Sequence, residues 1–360
     1  MELLHKRGFL IVRLPPEVIA SIDNVSRCMR KFFSGSIAAK DKYRTPQDGE
    51  VVLSHPAYLT PSPGWNELFE VRRSCCDPSY RFPPGCEAPC CALFDQLREL
   101  SMRWLEMISS FLCGDELFLP SLARGDTGPA SMRVIHYDQV VELHQQLKMI
   151  PRGTPQHREA CRTLMAGFPT HTDSSLVTLA PRASLSGLAV RDYATSKWLR
   201  VERQMAHDEA VLFCGDALAF CSRHYFPACM HRPDGLEMCR AAPATRIATP
   251  LFLYADEDAT LDASRVRPAL LEQAQHAGEP LVAPSPLKLP TRHFRLNLNR
   301  CRETWPWKRS PYYHGLVLCR DSDHFPGRDL EGDMVYADEG EDGADSLECH
   351  KALLPRASLT

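Results

Sequence analysis

The sequence predicts a mainly β protein with α-helices at its N-terminal end, and three observations lead to this fold class. Two apolar patterns of helical period lie in the first third of the chain, at 16–34 and 88–113. Short apolar runs separated by turn residues then extend from 132 to 254, a spacing typical of a β sandwich or barrel. The length of 360 residues is enough to bury a sizeable core in one large domain or two.

The N-terminal region, residues 1–120, is predicted to contain one strand and two helices. The strand covers the apolar run at 8–13, which a Pro-Pro pair terminates. The second helix, at 88–113, carries one apolar side and is followed by Gly114, a residue typical of helix ends. The stretch 45–87 is rich in Pro, Gly and Ser and predicts a long loop with few regular elements.

The core, residues 121–290, is predicted to consist of short strands separated by turns. A polar and partly helical excursion at 138–166 interrupts the series. The predicted strands occupy 132–137, 175–179, 187–190, 198–201, 210–214, 217–221 and 246–254.

Two C-terminal segments differ from the core in composition. The segment 291–328 contains a basic and aromatic stretch at 292–318, which could contact nucleic acid or pack its aromatic side chains on the core. The slightly acidic net charge of −3 favours packing. The tail at 329–360 is rich in Asp, Glu and Gly, so we expect it to be disordered.

The composition is that of an ordinary soluble protein, with 44% hydrophobic and 24% charged residues, and we expect a cytoplasmic location. No apolar stretch is long enough to cross a bilayer, and the apolar run near the start is too short for a signal peptide. The 15 cysteines are odd in number and scattered, which favours reduced thiols over a disulfide framework.

One cysteine cluster could hold zinc. It has no CxxC pair, and adjacent cysteines are awkward ligands for a tetrahedral site, so free thiols are favoured. The cluster comprises Cys75, Cys76, Cys86, Cys90 and Cys91.

A His-x-Asp triplet at 171–173 is the main candidate for a metal site. Residues i and i+2 of an extended strand point to the same side, so His171 and Asp173 can converge on one ion. A third ligand further along would complete a 2-His-1-carboxylate set, which binds Fe(II) and leaves positions open for O2 and substrate. His224 and His231 are the downstream candidates.

Six further landmarks follow the triplet in order. They are Leu-Val-Thr-Leu at 176–179, Gly-Leu-Ala-Val at 187–190, Trp-x-x-Val at 198–201, Gly-Asp at 215–216, His-Arg at 231–232 and a strand opened by Arg246. This order resembles the catalytic core of the Fe(II)/2-oxoglutarate-dependent dioxygenases, in the branch of isopenicillin N synthase. The resemblance covers residues 8–256.

The resemblance implies a double-stranded β-helix (jelly-roll) core with N-terminal helices packed on it as one catalytic unit. It implies an oxidoreductase that uses Fe(II), O2 and 2-oxoglutarate, with ascorbate as a reductant, to oxidise a small-molecule substrate. The substrate would be hydroxylated, desaturated, dealkylated or cyclised, and the cosubstrate would leave as succinate and CO2. We expect a monomer.

The resemblance also assigns iron ligands. His171 and Asp173 match the triplet of the family, and the His-Arg landmark favours His231 over His224 as the third ligand. Asp216 of the Gly-Asp landmark is expected to be a turn residue and not a catalyst.

For the cosubstrate, the family places an Arg opposite the far carboxylate, because a guanidinium matches a carboxylate with two parallel hydrogen bonds. Arg246 occupies that position, with Arg240 as the alternative, and Tyr137 matches a position whose hydroxyl helps to hold the cosubstrate. The family follows this Arg with Ser two residues later, whereas this chain has Ala248. A bulge at the following proline could turn Thr249 inward as a replacement donor.

Two other functions stay open on the sequence alone. The chain could be a non-catalytic or regulatory relative of the same fold, because the Ser hydroxyl is missing. It could also be a nucleic-acid or protein binding module that uses 292–318, although the charge argues against nucleic acid.

Overall fold

A computed structural model of the chain contains, within the described residues, two main sheets, a separate two-stranded sheet and a set of helices. The structure describes residues 1–44, 57–62, 66–73, 80–123, 130–137, 149–151, 154–156, 170–195, 197–240, 245–276, 287–294 and 356–357.

The elements follow one another along the described chain with helices concentrated in its first part. The helices are α1 (Glu2–Arg7), α2 (Pro16–Phe33), α3 (Ile37–Lys40), α4 (Glu87–Cys113), α5 (Phe118–Ser121), α6 (Asp216–Cys221), α7 (Gly235–Arg240) and α8 (Pro268–His276). The strands are β1 (Phe9–Arg13), β2 (Ala57–Ser62), β3 (Asn66–Val71), β4 (Ser131–Tyr137), β5 (Val177–Pro181), β6 (Leu188–Arg191), β7 (Trp198–Arg200), β8 (Glu209–Cys214), β9 (His231–Pro233), β10 (Arg246–Ala248), β11 (Leu251–Leu253), β12 (Thr260–Asp262), β13 (Lys288–Pro290) and β14 (Arg356–Ala357).

The two main sheets form the jelly roll that the sequence predicts. The larger sheet has the order β14-β1-β8-β5-β11-β4-β3-β2, with β10 also paired to β4. The smaller sheet has the order β7-β6-β9. Neighbouring strands are antiparallel except for β14, which pairs parallel with β1.

Alternation along the strands divides the interior into two cores. On β1, Leu10 and Val12 pack into the core beneath the helices, whereas Phe9 and Ile11 pack into a second core between the two sheets. The core between the sheets also contains Val190 of β6 and residues of β5, β7 and β8. Each fully buried Leu, Ile or Phe side chain stabilises the fold by about 1.5–3 kcal/mol, so both cores contribute.

Helices α2 and α4 cover the outer face of the larger sheet, as their apolar patterns predict. Helix α2 begins at Pro16, a residue favoured at the first helical position because its φ is already helical. Helix α4 ends at Gly114, which has a left-handed φ of 75°. Both boundaries agree with the sequence prediction to within one residue.

The hairpin of β2 and β3 lies inside the stretch 45–87, where the sequence predicted a loop. Strand β3 is buried along almost its whole length, including Glu67 and Glu70. Glu67 pairs with Lys40 at 2.6 Å and Glu70 with Arg133 at 2.9 Å. The prediction missed this strand because Glu67 and Glu70 interrupt its apolar pattern. Lys40 and Arg133, which are distant in the sequence, neutralise these carboxylates together with Arg72.

Two predicted strands have a different form in the structure. The run at 217–221 belongs to helix α6, in which all six residues are buried, so no helical period is visible in the sequence. The run at 246–254 is divided into β10 and β11 by Thr249 and Pro250. Proline has no N–H group to donate to a neighbouring strand, which explains the interruption.

Several predictions fall on residues that the structure does not describe. Most of the excursion at 138–166, the segment 291–328 beyond residue 294 and most of the tail at 329–360 lie outside the described residues. Within the tail, Arg356–Ala357 pair with β1, so the predicted disorder does not apply to these two residues. None of the described helices combines the length and the apolar character needed to span a membrane.

Candidate active site

Three side chains converge where the two sheets meet. His171 and His231 each place Nε2 3.7 Å from Oδ1 of Asp173, and their ring centroids are 4.4 Å apart. One donor atom from each residue lies within 4.8 Å of the others. In the part of the chain that the structure describes, this is the one group of three or more His, Cys, Asp or Glu side chains that could hold a metal ion.

The backbone brings the two histidines together. His171 and His231 form an antiparallel bridge in which each N–H donates to the carbonyl of the other, at 3.0 and 2.9 Å. His231 is also paired with Val190, which faces the core between the sheets. The alternate side chains of an extended segment share a face, so Asp173 lies on the same side as His171.

The ring of His231 is oriented for metal binding by two contacts. Its Nδ1 lies 3.1 Å from the carbonyl oxygen of Cys229, which can only accept a hydrogen bond. Nδ1 therefore carries the hydrogen, and Nε2 presents its lone pair toward Asp173. The ring also stacks on Phe213, with centroids 4.7 Å apart and an angle of 10°.

The carboxylate of Asp173 is oriented in the same manner. Its Oδ2 accepts a hydrogen bond of 2.7 Å from the hydroxyl of Thr178 on β5. The Thr178 hydroxyl has one hydrogen, so the 2.9 Å contact with Ser175 requires Ser175 to donate. Oδ1 lies 3.7 Å from Nε2 of each imidazole, so a metal ion bound by both histidines would meet this oxygen.

The Gly-Asp landmark, Gly215 and Asp216, supports the loop that carries Asp173 and Ser175. A Cβ atom on Gly215 would lie 2.1 Å from the backbone oxygen of Ser175, a distance that no side chain tolerates. Asp216 donates its N–H to the Asp173 carbonyl at 2.7 Å and accepts from the Thr172 hydroxyl at 2.9 Å. Asp216 thus acts as a structural residue of the turn.

This donor set fits Fe(II). Two neutral imidazole nitrogens and one carboxylate oxygen on one side of an ion, with the other side open, are the ligands of non-haem Fe(II) oxygenases. The side chain of His171 is 29% exposed, whereas those of Asp173 and His231 are 7% and 8% exposed. The site is therefore mostly dry and accessible beside His171. His224, the alternative third ligand, lies just after α6 with φ of 64° and does not belong to the group.

Two of the three residues predicted to bind the cosubstrate lie against each other. Arg246 of β10 is paired with Tyr137 of β4, and its guanidinium lies over the phenol ring, 5.0 Å from the centroid. Both residues are buried. Burial raises the pKa of Tyr137, so its hydroxyl keeps its hydrogen at neutral pH. The side chain of Arg240, the alternative, lies outside the described residues.

A buried partner of Arg246 was missed by the sequence prediction. Nη2 of Arg246 lies 3.1 Å from each carboxylate oxygen of Glu202, and Nε donates to the Leu185 carbonyl at 3.1 Å. Burial opposes the charge of Arg246, but Glu202 outweighs this effect, and the pKa of Arg246 lies above its ordinary value. An acidic residue directly after the Trp-x-x-Val landmark was the available signal.

The structure argues against the bulge proposed at Thr249. Ala248 is paired with Ile135, and Leu251 with Met132, so the register of β10 and β11 along β4 is continuous. Ala248 shares the face of Arg246, whereas Thr249 shares the other face. Thr249 is 3% exposed. This register disfavours the predicted contact between Thr249 and the cosubstrate.

Arg133 is a second cation that the sequence prediction did not assign to the site. It lies on the same face of β4 as Tyr137, and its guanidinium is 5.0 Å from the centroid of the Phe252 ring. It pairs with Glu70 at 2.9 Å, and its side chain is 30% exposed. Burial lowers the pKa of Arg133, but Glu70, Tyr254 and, more weakly, Asp173 outweigh burial and raise this pKa above its ordinary value.

The cysteines that the structure describes are free thiols, including Cys86, Cys90 and Cys91 of the cluster considered for zinc. Cys75 and Cys76 lie outside the described residues. Burial raises the pKa of Cys214 and Cys221, which keeps these thiols protonated and unreactive.

Comparison with known proteins connects this geometry to a family. Residues 129–253 match the family model of the 2OG-Fe(II) oxygenase superfamily. This match includes all three candidate metal ligands and Arg246. No curated protein matches the chain.

Solved structures share the fold at low sequence identity. A Caulobacter crescentus protein described as a 2OG-Fe(II) oxygenase family member is 19% identical with a TM-score of 0.61, over 83% of this chain and 91% of its own. A Shewanella oneidensis protein described as an oxygenase is 22% identical with a TM-score of 0.55, over 77% and 93%. A Neurospora crassa protein, in complex with alpha-KG and 5-formyluracil, is 17% identical with a TM-score of 0.55, over 81% and 84%.

Proposed function

We propose that this chain is a member of the 2OG-Fe(II) oxygenase superfamily, whose family model matches residues 129–253, and that it oxidises a small molecule with O2 while 2-oxoglutarate is converted to succinate and CO2. The enzyme is a dioxygenase whose cofactor is Fe(II) and whose cosubstrate is 2-oxoglutarate. The oxidation outcome we propose is hydroxylation, desaturation, dealkylation or cyclisation, in the manner of the isopenicillin N synthase branch.

One observation carries the proposal. The three donor atoms of His171, Asp173 and His231 lie within 4.8 Å of one another. Separate hydrogen bonds orient the latter two ligands toward the common centre. A bound iron would supply O2 activation at this point, and the chain would hold it with neutral imidazoles, one carboxylate and little surrounding water.

The face of the larger sheet that carries Tyr137 and Arg133 has side chains suited to a small-molecule substrate. Tyr137 and Arg246 are the residues we propose for 2-oxoglutarate, and Arg133 with Phe252 offers a cation and an aromatic surface nearby. The Neurospora protein of the same fold was crystallised with alpha-KG and 5-formyluracil. We retain the predictions of a monomer and of a cytoplasmic location, the latter supported by the free thiols.

Anaerobic addition of Fe(II) and then 2-oxoglutarate tests the proposal. We expect a visible charge-transfer band, which forms only when the cosubstrate chelates the iron, and no band with His231→Ala. Aerobic incubation with ascorbate should then yield succinate. An absent band and absent succinate in the wild-type protein would instead support the non-catalytic relative.

A further inference from the structure

We infer that Glu202 is an internal counter-ion that competes with the far carboxylate of 2-oxoglutarate for Arg246, and that it thereby sets the affinity for the cosubstrate. This inference rests on the proposed function, because it concerns the same pocket. It assigns a specificity role to a residue outside the metal ligands and outside the expected cosubstrate contacts.

The first support is the geometry of the pair. A single nitrogen of Arg246, Nη2, lies 3.1 Å from both Oε1 and Oε2 of Glu202. The side chains are 5% and 2% exposed, so water screens the attraction very little. A carboxylate from the chain itself therefore already occupies the cation that would receive the acid end of the cosubstrate.

The second support is that Glu202 is anchored independently of Arg246. Its Oε1 accepts a hydrogen bond of 3.0 Å from the N–H of Ala183, and its Oε2 accepts one of 2.7 Å from the N–H of Gly187. These donors belong to the backbone before β6, so the carboxylate is held by rigid groups. An exposed acid would swing into solvent, whereas Glu202 stays in place.

The third support is the close approach that Gly187 permits. A Cβ atom at this position would lie 2.8 Å from Cδ and Nε of Arg246 and 2.5 Å from Cγ of Met238. The absence of a side chain lets Arg246 lie across this backbone beside Glu202. The Arg246–Glu202 pair thus depends on three features: its own hydrogen bonds, the backbone donors that hold Glu202, and the absence of a side chain at Gly187.

The contacts of Arg246 and the charge of Glu202 together limit how Arg246 can bind the cosubstrate. Of the guanidinium nitrogens, Nε donates to Leu185 and Nη2 donates to Glu202, and the Tyr137 hydroxyl also interacts with the group. An incoming carboxylate that accepts two parallel hydrogen bonds from Nη1 and Nη2 would therefore have to compete with Glu202 for Nη2. If Glu202 stays in place, the far carboxylate of 2-oxoglutarate binds an Arg246 whose charge is already neutralised, and it lies close to the like charge of Glu202. Ala248, where the family has Ser, offers no hydroxyl to compensate.

The test compares cosubstrate binding in full-length wild-type protein and Glu202→Gln. Gln has the same shape but no charge, so Arg246 should become available to the acid. In anaerobic titrations of the Fe(II)-loaded proteins, we expect the Kd for 2-oxoglutarate from the charge-transfer band to fall about tenfold in the variant, or about 1.4 kcal/mol. Glu67→Gln, which breaks a buried ion pair on the face of β4 that packs against the helices, should leave this Kd unchanged.

A second measurement uses the wild-type protein alone, so that it stands even if Glu202→Gln does not fold. Because Arg246 is already neutralised, 2-oxopentanoate, which has no far carboxylate, should bind within about tenfold of 2-oxoglutarate. A preference for 2-oxoglutarate of about a hundredfold or more would overturn the inference, as would an unchanged or higher Kd in folded Glu202→Gln. Absence of any band in both proteins would overturn the proposed function itself, and this inference with it.

Discussion

At the residue scale, the metal centre depends on hydrogen bonds that orient its ligands. Thr178 donates to Oδ2 of Asp173 and orients the carboxylate, and the carbonyl of Cys229 selects the tautomer of His231. Partners of this kind usually change metal affinity by about 10–100-fold when they are removed. The His-x-Asp spacing was readable in the sequence, but these orienting partners were not.

Thr178→Val should weaken Fe(II) binding by about tenfold, because Oδ2 of Asp173 loses its donor and the carboxylate can rotate. Anaerobic Fe(II) titration followed by intrinsic fluorescence measures the effect. Thr178→Ser restores the hydroxyl and should restore most of the affinity. Equal affinity in Thr178→Val and the wild-type protein would show that the hydrogen bond is dispensable.

Ala248 and Thr249 provide a test of the missing donor in the cosubstrate pocket. Ala248 shares the face of Arg246, so Ala248→Ser should lower the Kd for 2-oxoglutarate by about fivefold through one added hydrogen bond. Thr249→Val should leave this Kd unchanged, because the continuous register places Thr249 on the other face. The charge-transfer titration measures both. A higher Kd in Thr249→Val would restore the bulge hypothesis.

At the element scale, local patterns predicted the long helices and most strands, and failed where distant residues determine the pattern. Helices α2 and α4 have clear apolar sides and were bounded to within one residue. Strand β3 contains buried Glu67 and Glu70, which pair with Lys40 and Arg133, both far away in the sequence, and Glu70 also pairs with the nearby Arg72. Helix α6 is buried on every side, so its composition resembles that of a buried strand.

Gly215→Ala should destabilise the junction between β8 and α6 by about 3 kcal/mol, since the added Cβ would collide with the backbone of Ser175. Gly215→Ala should also reduce Fe(II) binding, because Ser175 lies in the loop that carries Asp173. Urea denaturation and Fe(II) titration measure the two effects. Gly114→Ala adds a methyl group where nothing lies within 4 Å, and its left-handed φ should cost only about 1–2 kcal/mol with no change in metal binding.

A loss of stability no larger in Gly215→Ala than in Gly114→Ala would contradict this account. It would show that the loop can move away from the added methyl group without disturbing the site.

At the scale of the whole molecule, a buried network joins the N-terminal helices to the larger sheet. Glu67 of β3 accepts from Lys40 and Tyr58, each at 2.6 Å, and pairs with His136 of β4 at 3.0 Å. The His136 ring stacks on Phe33 of α2, with centroids 4.9 Å apart. This network fixes the helices over the back of the jelly roll.

The network predicts a pH dependence of stability. Burial alone would raise the pKa of Glu67, but hydrogen bonds from His136, Lys40 and Tyr58 outweigh it and hold the pKa below its ordinary value. A carboxyl group with a lowered folded-state pKa stabilises the protein fully above the unfolded pKa of about 4.3, and this contribution is lost as pH falls through the folded-state pKa.

Glu67→Gln should therefore cost about 3 kcal/mol of unfolding free energy at neutral pH, because Lys40 is left buried without its counter-ion. The difference from the wild-type protein should narrow as pH falls below about 4. Urea denaturation of the wild-type and Glu67→Gln proteins, from neutral pH to below about pH 4, measures this difference in unfolding free energy. A difference that is independent of pH would mean that the ionisation of Glu67 does not contribute.

The resemblance to the family indicated His231 as the third candidate iron ligand, whereas the sequence by itself determined the fold class, most of the core strands and the His-x-Asp pair. These features depend on local spacing: alternation in strands, helical periods, and a His-x-Asp pair whose side chains share one face. Only the tertiary structure decided which partners surround those residues. The pairing of Arg246 with Glu202 joins positions 44 residues apart, and the continuity of register at Thr249 depends on a strand more than a hundred residues earlier. Such contacts arise when distant elements pack, and no local pattern encodes them.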